Sequence, residues 1–338
     1  MIRAIKKILK ENYKFIIFFL IMLFVFNIKF PYYIDAPGGI SDVSDKIVMD
    51  KYESKGSFNL AYVKEYNATI PTLILSLFNK DWKVLKKEDV ILEGENDIEY
   101  TLRDKIFINE AVSNAIYVAY KYSDSKIDVT SSKLLVTLIK ENANTNLKIG
   151  DEILKINDID IIKKEDISDI INNLEIGDKI KITCISDKVT KNKYAYIIED
   201  DGNKKIGMAI SNIREYNTVP SISVSIDKNE SGSSGGLIMA LSIYNSLTKE
   251  DITKGLKIVG TGTIDLDGNV GSIGGVEYKL KSAVKENADL FIVPIGENLD
   301  EALKLKDKYN YNINIVGVST FEEVINYLDN INTSGINN

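Results

Sequence analysis

The chain is 338 residues long, 44% apolar and 27% charged, enough for two or three packed domains. It has no histidine and one cysteine, Cys184. That excludes a Ser-His-Asp triad, a Cys-His dyad, a His-ligated zinc centre, an internal disulfide and a cysteine cluster for metal. The net charge is −7 although the first 14 residues hold five basic side chains against Glu11, so the body of the chain is acidic and no nucleic-acid partner is expected.

At the N-terminus Arg3, Lys6, Lys7, Lys10 and Lys14 precede an apolar run from Phe15 to Ile28 that only Asn27 interrupts. Lys29 can snorkel and Tyr32 and Tyr33 suit a headgroup zone, so residues 1–34 are expected to form a basic flank and a transmembrane helix. A cleaved signal peptide is the alternative reading, but no small-x-small cleavage signal follows the run. An uncleaved anchor would leave the basic flank in the cytoplasm and place the rest of the chain, single-pass, on the other side.

Residues 35–130 read as an α/β region packing on the C-terminal domain. Pro37-Gly38-Gly39 makes a turn, and Lys55 to Val63 alternates as a strand should. Ile98, Leu102, Ile106, Ala111, Ala115 and Ala119 then recur as one buried helical face, and nothing in that stretch has a catalytic look.

Over residues 131–200 a strand (Leu134 to Ile139) is followed by Leu147-Lys148-Ile149-Gly150-Asp151-Glu152-Ile153-Leu154-Lys155-Ile156-Asn157, a helix (Glu165 to Leu174), Gly177-Asp178 and two strands. Cys184 lies in the last of these patterns and reads as core. The Leu-Lys-x-Gly-Asp-x-Ile-x-x-Ile-Asn phrase resembles a PDZ domain. The resemblance implies a module that takes an extended peptide between a strand edge and a helix, or one that only spaces and covers its neighbour. No Gly-Leu-Gly-Phe loop precedes Leu134.

Residues 201–331 alternate strand and helix as an α/β domain does: strands Lys205 to Ile210, Ser221 to Ile226, Lys257 to Ile264, Leu290 to Pro294 and Ile313 to Val316, helices Leu237 to Leu247, Val276 to Lys285, Leu299 to Tyr309 and Thr320 to Leu328. Residues 332–338 form a polar tail. The overall expectation is a multidomain α+β and α/β chain.

Within that last domain Gly232-Ser233-Ser234-Gly235-Gly236 leads into a helix, and 45 residues after Ser234 comes Lys279 in Gly274-Gly275-Val276-Glu277-Tyr278-Lys279. Glycines let a backbone approach a substrate closely, and helix N-terminal N–H groups can face an oxyanion. In a chain without imidazole a serine nucleophile needs another base, and a desolvated lysine can serve. Taken alone, a Gly/Ser tract is more often an inert connector, and a helical lysine is more often solvated.

Together the segments resemble the Lon-type serine-lysine peptidases, whose nucleophile stands in Gly-Pro-Ser-Ala-Gly and whose lysine stands in Gly-Gly-x-x-x-Lys, with a Thr-Gly strand between. Here the strand reads Val259-Gly260-Thr261-Gly262-Thr263, and Ser233 and Gly235 replace the proline and alanine. The resemblance implies catalytic Ser234 and Lys279, supported by Thr261, Gly232, Ser233 and Gly235. With the N-terminal segment and the PDZ-like module, the organisation resembles the membrane-anchored, PDZ-containing Lon-like proteases of bacteria. That implies a serine endopeptidase in a bacterial cell membrane that cleaves flexible or misfolded protein segments, needs no cofactor or metal, and forms a homo-oligomer if it follows related Lon domains. No Gly-x-x-x-x-Gly-Lys-Ser/Thr phosphate loop is present, so ATP independence is expected. The alternatives are a catalytically silent membrane-tethered scaffold, and a lipase or esterase with the same dyad.

Overall fold

The computed structural model describes residues 2–50 and 52–331, so the polar tail expected at 332–338 lies outside the described residues. The chain divides into two compact units. One takes the residues up to Gly38 with Val63–Ile91, the other Gly39–Tyr62 with the residues from Leu92 on.

The first unit opens with helix α1 (Ile2–Phe26). Lys6, Lys10, Glu11 and Lys14 punctuate its first half, so its uninterrupted apolar part, Phe15 to Phe26, spans about 18 Å against the ~30 Å of a bilayer core. Among the described residues no helix is long and apolar enough to cross a membrane, so the transmembrane helix expected over 1–34 has no support in the fold. The apolar side chains are nonetheless exposed around the helix, Phe15 by 71%, Phe18 by 63% and Phe24 by 73%. Helix α2 (Ile70–Phe78) starts from a reciprocal capping box between Thr69 and Thr72, with Pro71 in the first turn where a missing N–H costs nothing. A short strand, Lys83–Lys86, pairs antiparallel with Tyr32 to Asp35.

The second unit carries α3 (Asp97–Tyr122), α4 (Lys164–Asn172), α5 (Gly236–Leu247), α6 (Val276–Lys285), α7 (Glu297–Tyr309) and α8 (Phe321–Asn330). Residues 57–60 of one strand, then Lys257–Gly260, Leu290–Pro294 and Asn314–Val318, lie side by side and all parallel. Leu290–Pro294 is buried along its whole length, as a strand covered on both faces must be, and it reads as an unbroken apolar run for that reason. Alternation sorts its side chains into two cores. Leu290 and Ile292 join Val118 of α3, Leu237 of α5 and Phe321 of α8, whereas Phe291 and Val293 join Val276 and Leu280 of α6 and Ala302 of α7. Helices on both faces of a parallel sheet are what the alternating pattern predicts.

A second sheet is antiparallel and runs in the order Met208–Val219, Lys126–Ile139, Glu152–Ile156, Lys179–Ser186, Val189–Tyr196. Its core of Leu134, Ile153, Ile156, Ile180 and Ile182 is closed by Ile167 and Ile171 of α4, and it includes Cys184, fully buried as read from the sequence, and Ile206. The sequence predicts separate strands at 205–210 and 221–226, but the structure runs Met208–Val219 as one strand, and only Ser223–Val224 is extended beyond it. The polar stretch Ser211 to Glu215 hides this strand. It lies at a sheet edge, where the Asn212 and Arg214 N–H groups donate to Glu110 Oε1 (2.8 Å) and Ser113 Oγ (3.0 Å) of α3 instead of to another strand.

Candidate active site

The segment from Asp227 to Gly235 has little regular structure of its own and is held by charged side chains from elsewhere in the unit. Lys46 Nζ meets Glu230 Oε1 at 2.5 Å and Asp227 Oδ2 at 3.3 Å. Lys105 Nζ of α3 donates to the carbonyls of Lys228 and Glu230. The Gly232 N–H donates to the Asp104 carbonyl at 3.0 Å, with Gly232 at φ +82°, a conformation that glycine adopts without strain. Gly235 caps α5, so Ser234 stands just ahead of that helix's first turn.

The Ser234 backbone is tied to the strand that follows α5. Its carbonyl accepts from the Gly262 N–H at 2.8 Å and from Thr261 Oγ1 at 3.1 Å, and the Leu237 N–H donates back to the Gly262 carbonyl at 3.0 Å. A side chain at 262 would press on Leu237 and Val270, so glycine permits this approach. Gly235 is similarly confined, for an alanine Cβ there would lie 3.1 Å from the Leu60 side chain.

Lys279 completes the chain of contacts. Its Nζ donates to Thr261 Oγ1 at 3.1 Å, and the same hydroxyl donates to the Ser234 carbonyl. Thr261 is fully buried and Lys279 is only 3% exposed. The lysine sits one turn into α6, whose N-cap Gly275 turns the chain at φ +70°. Burial alone pushes its ammonium down to about 8 from an ordinary 10.5, with no charged group among the described residues holding it up. The sequence shows Lys279 beside an apolar helical face; the fold buries it almost completely.

Ser234, Thr261 and Lys279 are thus brought together, and Gly232, Ser233 and Gly235 shape the same loop. A cavity of about 220 Å³ adjoins Ser233 and is walled by Phe107, Ala111 and Asn114 of α3 with Thr263 and Ile264. Asn114 Nδ2 donates to the Ile264 carbonyl at 3.0 Å while its Oδ1 is buried with no partner among the described residues, an acceptor left for something entering the cleft. Periodicity says little of these α3 residues beyond the buried face of their helix. The only local signal is a polar Asn114 between two alanines of that face. A larger groove, about 600 Å³, runs between Lys164, Ile167 and Ile171 of α4 and the Ile206, Met208 and Ile210 edge.

With this geometry in view, residues 216–329 match the C-terminal proteolytic domain of Lon protease (S16). The segment is a serine-peptidase domain. It contains Ser234, Thr261 and Lys279. Among curated proteins, the Lon protease of Aster yellows witches'-broom phytoplasma is 33% identical over 93 residues, 28% of this chain and 11% of that protein. Lon protease 2 of Bacillus subtilis is 38% identical over 94 residues, and the archaeal Lon protease of Halobacterium salinarum is 30% identical over 94, covering 16% and 13% of those proteins. The matched stretch is therefore a small part of each Lon-named relative. Among solved structures, the PDZ domain of the SdrC-like protein from Listeria monocytogenes aligns with 25% of this chain and 92% of its own, at 20% identity and a TM-score of 0.22. The second domain of another listeria protein aligns with 25% of this chain and 87% of its own, at 23% identity and a TM-score of 0.22.

Proposed function

We propose that the chain is an ATP-independent serine endopeptidase in which Ser234 is the nucleophile and Lys279 the general base. The observation that carries this reading is the buried relay from Lys279 Nζ through Thr261 Oγ1 to the Ser234 carbonyl. A neutral lysine has two N–H groups and one lone pair. Donating one N–H to Thr261 fixes the amine, and the lone pair is then free to take the Ser234 hydroxyl proton.

Ser234 Oγ attacks the peptide carbonyl as its proton passes to Lys279. The oxyanion is met by N–H groups between Ser233 and Gly235, since those of Gly232, Gly236 and Leu237 are already committed to the carbonyls of Asp104, Ser233 and Gly262. The α5 dipole favours the same charge. Protonated Lys279 gives its proton to the leaving amine, and water, deprotonated by the same lysine, releases the acyl group and restores Ser234.

Substrates would be flexible protein segments that reach the cleft between α3 and the Ser234 loop. The groove beside α4 would recruit an extended peptide along the Met208 edge. The exposed apolar half of α1, preceded by a basic flank at residues 3–14, supports attachment to a membrane surface. Incubating the full chain in detergent with an unfolded protein, with and without ATP, tests the catalytic reading by mass spectrometry of the products. Wild type should cut equally well in both conditions, and Ser234→Ala and Lys279→Ala should not cut. Cleavage surviving in Ser234→Ala, or a folded wild type that never cuts, would favour the scaffold alternative or another nucleophile.

A further inference from the structure

We propose that α2 is a second lipid-contacting element, lying against the bilayer face that the apolar half of α1 enters; this rests on the membrane attachment proposed above. Helix α2 reads Ile-Pro-Thr-Leu-Ile-Leu-Ser-Leu-Phe and has no buried residue. Leu77 is 82% exposed, Phe78 81%, Leu75 50% and Ile74 49%. A contiguous apolar surface of this kind marks an interaction site on a folded chain.

Three observations within the first unit identify the occupant as lipid. The first is height. The Phe30 N–H donates to the Ala68 carbonyl at 2.8 Å and the Ala68 N–H to the Tyr32 carbonyl at 3.0 Å. The Thr69 cap of α2 therefore starts level with the end of the α1 apolar run, and the two helices touch. A bilayer that receives Phe15 to Ile28 is already within reach of α2.

The second is polar satisfaction. Lipid tolerates a helix only when its polar groups are paired internally. Ser76 Oγ donates to the Leu73 carbonyl at 2.7 Å, Asn79 Nδ2 to the Leu75 carbonyl at 2.7 Å, and Thr72 Oγ1 to the Thr69 carbonyl at 3.1 Å. The third is the rim. Trp82 stacks on Tyr66 with ring centroids 5.4 Å apart, and Lys29, Lys80 and Lys83 are exposed beside these elements, the aromatic and cationic pattern of a headgroup zone.

Trp82 is the only tryptophan in the chain, so its fluorescence reports this site alone. The full chain is mixed with vesicles of phosphatidylcholine and phosphatidylglycerol, plain or with brominated acyl chains, and floated. The expected result is co-flotation with Trp82 quenched by the brominated lipid. The doubly substituted Leu77→Ser, Phe78→Ser variant, altered only at exposed positions, should still float through α1 but lose roughly twofold of the quenching. Co-flotation with Trp82 unquenched overturns the proposal while leaving the attachment by α1 intact. Protection of Trp82 from acrylamide in both lipids, with dimers on cross-linking, overturns it in favour of a second copy. Failure to float overturns both this proposal and the membrane attachment, and leaves the peptidase reading to its own test.

Discussion

At the scale of single residues, the proposed function and stability pull Lys279 in opposite directions. Holding its ammonium at about 8 instead of 10.5 costs the fold about 3 kcal/mol at neutral pH. Lys279→Met should abolish cleavage yet stabilise the protein by about 2 kcal/mol at pH 7, after the lost bond to Thr261 is set against the gain. The sign follows from proton binding. Below about 8 both states of the wild type hold the proton, and the folded one does so at a cost. Between about 8 and 10.5 only the unfolded chain still binds it, so wild-type stability climbs and the advantage of the methionine should vanish over that window in denaturant melts. Thr261→Val keeps the shape and removes both hydroxyl bonds. It should lower kcat by roughly tenfold or more with little change in KM, because it unfixes the amine and not the substrate. In the sequence the surrounding glycines and the absence of histidine single out Ser234 and Lys279 as candidates, and the fold links both to Thr261. The apolar helical face beside Lys279 points to partial desolvation, and the fold buries the side chain almost completely, to a degree that a helical pattern cannot show.

At the scale of elements, one glycine fixes how the strand beginning at Ser57 docks beside Lys257–Gly260. A Cβ on Gly56 would fall 2.2 Å from the Leu256 carbonyl oxygen, and the Gly56 N–H is already spent on Thr253 Oγ1 at 3.1 Å. Backbone cannot yield as a side chain can, so Gly56→Ala should destabilise the protein by about 3 kcal/mol or more, read from denaturant midpoints. Helix α3 has a different role, as it walls the cleft beside Ser233. Ala111→Phe should fill that cavity and raise KM for peptides roughly tenfold while the pH dependence of kcat stays as in wild type. Elements with a clear period were legible: α5, α6 and the buried strand Leu290–Pro294 lie where the pattern puts them. The long edge strand Met208–Val219 was not, since Ser211 to Glu215 owe their extended form to pairing with Lys126–Ile139 and to partners on α3, all far away in sequence.

At the scale of the whole molecule, a catalytic unit built on a doubly covered parallel sheet also carries an antiparallel lobe with an open groove, and its chain is continuous with a unit whose helices expose apolar surface. The apolar run at the N-terminus was plain in the sequence, but snorkelling of Lys29 and the flanking tyrosines do not extend it to a span: lysines in the first half of α1 leave an apolar part of about 18 Å. The exposed face of α2 had no sequence signal, because an apolar helix of nine residues reads as core until a fold shows side chains such as Leu77 and Phe78 left exposed. The central claim, that a buried lysine serves a serine in a chain without histidine, is tested most directly by kcat/KM of the full chain on one peptide substrate between about pH 6 and 10. The account predicts a rise governed by one ionisation near 8 that levels off above it. A profile flat across that range, or one unchanged in Lys279→Ala, would contradict it.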